Sequence, residues 1–85
     1  MRKMTLKKAI ATYGIEAQQV VAIEELSELQ KEITKNLRGK GDLDHMAEEI
    51  ADVRIMLEQL MMAFDLHGKV EDWEAKKVTR LENNL

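Results

Sequence analysis

The stretch DLDHMAEEIADVRIMLEQLMMAFDL, residues 42–66, decides the fold. Leu43, Met46, Ile50, Val53, Leu57, Leu60 and Phe64 recur at alternating steps of three and four, the spacing that puts side chains on one face of an α-helix. A strand would alternate every second residue. Asp42 or Asp44 is suited to cap this helix, which is expected to run to about Leu66. Just upstream, RGKGD (residues 38–42) reads as a tight turn, with Gly39 suited to a left-handed position after a helix. Before the turn, Ala22, Leu26, Leu29, Ile33 and Leu37 repeat the helical spacing, which predicts a helix from about Ile15 to Leu37. Two long helices joined by so short a turn pack antiparallel.

Shorter elements flank this hairpin. Residues 5–13 are expected to be helical, begun by Thr5 as N-cap and stopped at Gly14. HGK, residues 67–69, reads as a second turn, and residues 70–84 as a last helix. No strand-like alternation or repeat occurs, and the chain has no proline and four glycines, which favours uninterrupted helices. The expected architecture is all-α: one domain over residues 1–85, an antiparallel helical hairpin with two shorter helices packed on it. Apolar residues exceed what one hairpin can bury. Val20, Val21 and Ile23 widen the greasy face of the second helix, and Met56, Met61 and Met62 that of the third. A helix apolar over most of its circumference is buried on several sides. A homodimer or homotetramer, completing a four-helix-type bundle, is therefore expected, with the methionines as packing.

Composition excludes several classes of function. With no cysteine, neither disulfides nor thiolate metal sites can form. A net charge of −3 speaks against a broad basic face gripping nucleic acid, although a free nucleotide stays possible where a cation supplies the missing charge. The most apolar run, IMLEQLMMAFDL, contains Glu58 and Asp65 and is too short to span a membrane. The basic start MRKMTLKK is not followed by an apolar secretory segment, so a cytoplasmic location is expected.

Acidic residues pose the chemical question. EELSE (residues 24–28) and EIAD (49–52) set acids against the apolar stripes of both long helices. At about 100° per residue, Glu25 and Glu28 fall on one flank of the second helix stripe. Glu49 and Asp52 fall on the same-sense flank of the third. The two-fold relating antiparallel helices keeps same-sense flanks on one side, so the four carboxylates are expected to converge. Basic partners at i+4 are missing: Glu25 faces Leu29, Glu28 faces Glu32, Glu49 faces Val53 and Asp52 faces Met56. Crowded like charges beside apolar surface are relieved by raised pKa values or by a bound cation. An all-carboxylate donor set selects hard ions, Mg²⁺ first and Mn²⁺ or Ca²⁺ next.

These motifs carry a family resemblance. EELSE followed, after twenty residues, by EIAD resembles the EExxE…ExxD signature of the MazG-type all-α nucleoside triphosphate pyrophosphohydrolases, the superfamily that also contains the dimeric dUTPases. AIEELSELQKEI and AEEIADVRIMLEQL look like that family's flanking text, and the resemblance runs from about Ala17 to the end of the chain. It implies Mg²⁺-dependent hydrolysis of a nucleoside triphosphate to the monophosphate and pyrophosphate. Glu25, Glu28, Glu49 and Asp52 would hold the metal, with Glu24 as a further ligand or orienting the attacking water. In the tail, Lys77 sits near the apolar side of its helix and Arg80 lies one turn on; family members often carry a Lys and an Arg in a similar segment, which suggests phosphate contacts. His45 and His67 read as surface residues, and Arg38 and Lys40 as a surface turn. A non-catalytic nucleotide-binding or protein-interaction module of the same fold is the alternative. A redox metal bundle is disfavoured, because no Glu-x-x-His pair is present.

Overall fold

The computed structural model describes residues 1–85 as four helices: α1 (Arg2–Tyr13), α2 (Ile15–Leu37), α3 (Leu43–Phe64) and α4 (His67–Asn84). No strand is present, and no helix is long and apolar enough to cross a membrane. The expected hairpin is the centre of the fold. α2 and α3 pack against each other along their length, and α1 lies against both.

Local signals explain most of the boundaries. The Asp42 side chain accepts hydrogen bonds from the backbone N–H groups of Asp44 (2.8 Å) and His45 (3.3 Å). These bonds cap α3 and hold the Asp42 carboxyl below the usual carboxylate range. Gly39 takes the left-handed conformation the turn requires (φ 74°). Gly41 is needed for space instead: a Cβ there would stand 2.7 Å from Asn36 Cα.

Three expectations are corrected. α1 begins at Arg2 rather than at Thr5, whose hydroxyl donates back one turn to the Met1 carbonyl (2.9 Å) instead of capping. α3 ends at Phe64, because Asp65 adopts a left-handed conformation (φ 52°). HGK is therefore not a turn but the first turn of α4.

A fourth correction concerns packing. Ala22 on α2 and Val53 and Met56 on α3 are buried, together with Leu6 of α1. Leu26, Ile33, Ile50, Leu57 and Phe64, all assigned to the helix-packing stripes, are instead 43–47 % exposed. The contact face of each long helix is turned by about 50° toward the acidic flank. α1 packs on both long helices: Leu6 is buried, and Arg2 donates from Nε (2.9 Å) to Glu58 Oε2 on α3, with Nη2 2.7 Å from the same oxygen. α4 buries none of its residues and has at most a glancing contact with the other helices.

Candidate metal centre

One turn and three turns into α2 from its α1 end, the hairpin carries polar layers where apolar ones would be expected. The first is neutral. Gln18 Nε2 donates to Gln59 Oε1 at 2.7 Å, with Gln59 only 4 % exposed. The second is the acidic layer. Carboxylate oxygens of Glu25, Glu49 and Asp52 all lie within 4.8 Å of one another, and each residue is half-buried.

This arrangement is electrostatically strained. None of the three forms an ion pair with a basic side chain. The Glu25 carboxyl is pushed up from an ordinary 4.5 to about 7. Burial is the largest cause, followed by the charge of Asp52 and hydrogen bonding to it, then by Glu49 in the same two ways. Near neutrality Glu25 thus holds a proton part of the time, which eases the crowding. Glu49 Oε2 is buried and has no hydrogen-bond partner. A buried carboxylate oxygen left unpaired is costly, and a cation is one of the few groups that satisfies it.

Helix spacing accounts for the convergence. Glu49 and Asp52 are three apart, so both point from adjacent turns of α3 to the same flank. Glu25 meets them from the antiparallel α2, at a height set by the five-residue turn. The oxygens are hard donors with neither imidazole nor thiolate among them. The residues present therefore fit Mg²⁺, Mn²⁺ or Ca²⁺.

The remaining candidates lie elsewhere. Glu28 is exposed and pairs with Lys31 Nζ at 3.4 Å, so it stands outside the three-acid group. Its basic partner sits at i+3 rather than at i+4. Glu24 is exposed on the outer side of α2. Lys77 and Arg80 are exposed on α4, away from the acids; the Lys77 ammonium lies 6.0 Å and that of Lys76 5.0 Å from the Trp73 ring centroid.

Sequence reasoning missed two buried polar groups. One is the Gln18–Gln59 pair, whose only signal is a glutamine on each contact flank. The other is Glu32, two turns beyond Glu25. It is 8 % exposed, with Oε1 accepting from Lys35 at 3.3 Å and Oε2 buried without a partner.

No family model, no curated protein and no solved structure matches the chain.

Proposed function

We propose that this protein hydrolyses nucleoside triphosphates to the monophosphate and pyrophosphate with the help of Mg²⁺. One observation carries the reading: Glu25, Glu49 and Asp52 meet within 4.8 Å, without a basic partner and with a buried orphan oxygen on Glu49. The EELSE and EIAD motifs, in the order and spacing of the family they resemble, supply the reaction class.

In this reading Glu25, Glu49 and Asp52 hold the ion. Glu28, one turn along the same flank, completes the set, since an exposed ion pair such as Glu28–Lys31 is worth only about 0–1 kcal/mol and does not hold it back. Mg²⁺ held there would supply Lewis-acid chemistry, polarising phosphate oxygens, offsetting charge on the pyrophosphate and acidifying a water. Glu24 orients the attacking water or adds a ligand. Lys77 and Arg80 bind oxygens of the triphosphate. α4 buries nothing, so its movement toward the substrate breaks no packing. Phosphoryl chemistry of this kind asks for positioned charge rather than a protein nucleophile, which suits a chain with no cysteine and with its histidines exposed.

Purified protein incubated with Mg²⁺ and a panel of ribo- and deoxyribonucleoside triphosphates tests the proposal. Pyrophosphate release from at least one nucleotide, abolished by chelation, is the expected result. Release of orthophosphate alone, or no turnover of any nucleotide, overturns it.

A further inference from the structure

α1 carries charge of one sign only. Arg2, Lys3, Lys7 and Lys8 are its ionic side chains, with no acid among them, in a chain whose net charge is −3. Arg2 is answered by Glu58, but Lys3, Lys7 and Lys8 form no ion pair. Arg2 and Lys3 stand in the first turn of α1, where the positive end of the helix dipole favours acids instead. An acidic group brought beside that turn is attracted both by the free lysine and by the helix end.

Two of the unpaired lysines edge an apolar groove. Lys3, Met4, Lys7 and Ile10 of α1 line it, together with Ile15 at the start of α2 and Met62 near the end of α3. The groove is open, with Met4 74 % and Ile15 42 % exposed. Small-molecule sites bury about 70–90 % of their ligand, which so shallow a surface does not do. Its length fits a helix. Lys3 to Ile10 is about 10 Å, two turns, the reach of apolar anchors at i, i+3, i+4 and i+7. Methionine on both sides, Met4 and Met62, gives a lining that adapts to the shape laid against it. Lys3 and Lys7, four apart, lie on one edge of α1, so acids at the same step on a partner helix meet both. A lipid surface fits less well, because these apolar residues line a concavity, whereas insertion needs an apolar ridge. The chain's own α4 lies elsewhere: its His67 and Glu74 share a cleft with Arg2 and Glu58.

We propose that this groove docks an amphipathic helix of another protein, its apolar stripe on Met4, Ile10, Ile15 and Met62 and its acidic side chains, four apart, against Lys3 and Lys7. The surface uses no residue of the acidic layer, and the proposal is independent of the reaction proposed above.

Fluorescence anisotropy of a labelled helical peptide, titrated with the full chain, tests it. The probe carries leucines at i, i+3, i+4 and i+7 with glutamates on the flanks; its twin carries lysines in place of the glutamates. The glutamate peptide should bind about 10-fold tighter than the twin, as two exposed attractions turned into repulsions give, and added salt should narrow the difference. Lys3→Glu combined with Lys7→Glu should reverse the preference. Both residues are exposed, and circular dichroism should show the helices retained. Should that variant not fold, Lys3→Gln with Lys7→Gln keeps the test, with the preference lost rather than reversed. Failure of both peptides to bind, or a preference that these changes leave unmoved, overturns the proposal. Vesicles of equimolar phosphatidylcholine and phosphatidylserine that bind the chain and displace the peptide would assign the groove to lipid and overturn it too. So would self-association, read by light scattering, that the Lys3 and Lys7 changes abolish, since the groove would then belong to a second copy.

Discussion

Two polar layers cross the same helix–helix seam and solve burial differently. Gln18 and Gln59 are neutral and close on each other with a 2.7 Å hydrogen bond. Two turns along α2, Glu25, Glu49 and Asp52 bring like charges together and leave Glu49 Oε2 with nothing. The first layer is finished by the chain. The second is complete only with a proton or a cation, and that difference separates a structural polar contact from a candidate site.

The largest effect expected from breaking the contrast is on turnover. Glu49→Gln keeps the shape but removes the charge at the orphan oxygen, and pyrophosphate release should fall roughly 100-fold or more. Circular dichroism should show the helices retained. Turnover within a few-fold of wild type would dismiss the acidic layer as the site.

Next in size is the response to metal. At 100 times its dissociation constant, Mg²⁺ should stabilise the protein by about 2.7 kcal/mol, which calorimetry would read as a rise in Tm of roughly 15 °C. Glu49→Gln should abolish most of that rise. A wild type whose Tm ignores Mg²⁺ does not bind the ion in this layer.

The neutral layer predicts a smaller and opposite pattern. Gln59→Leu strands the Gln18 amide and should cost about 1–3 kcal/mol in denaturant unfolding, while the double change of Gln18 and Gln59 to Leu should recover most of the loss. Mg²⁺ affinity should be unaffected in both variants. A metal-dependent difference between them would make the two layers one.

A separate effect is that of pH on the metal-free protein. The folded pKa of Glu25 lies above its unfolded value, about 7 against 4.5, so the native state binds the extra proton. Below 4.5 both states are protonated and the group contributes nothing. Between 4.5 and 7 the unfolded state releases its proton first, and this group's contribution to stability falls as pH rises. Mg²⁺ competes with the same proton, so its affinity should increase through pH 7. Chemical denaturation across that range, in Glu25→Gln and wild type, isolates the effect; identical slopes would assign the proton elsewhere.

Much of this was legible in the chain because helical period converts spacing into direction. The stripe from Leu43 to Phe64 fixed α3 as a helix, Asp42 marked its start, and the three-residue spacing of Glu49 and Asp52 aimed both at one flank. The 50° turn of the contact face was not legible, since it depends on how the helices settle against one another, and no local pattern encodes that. Nor was the pairing of Glu28 with Lys31, a rotamer choice on an exposed surface. Asp65 misled for a related reason: an aspartate has no strong preference for the left-handed conformation that ends α3, whereas the glycine of HGK does and did not use it.

Gly41 has a bearing on all of this from outside the site. With Asn36 so close that a single Cβ could not be inserted, the turn works as a mechanical end-stop that prevents α3 from sliding along α2. The gap between Glu25 and its two partners is then gauged by a residue that has no side chain. Gly41→Ala would shift the stop and detune the acids several turns away while altering none of them.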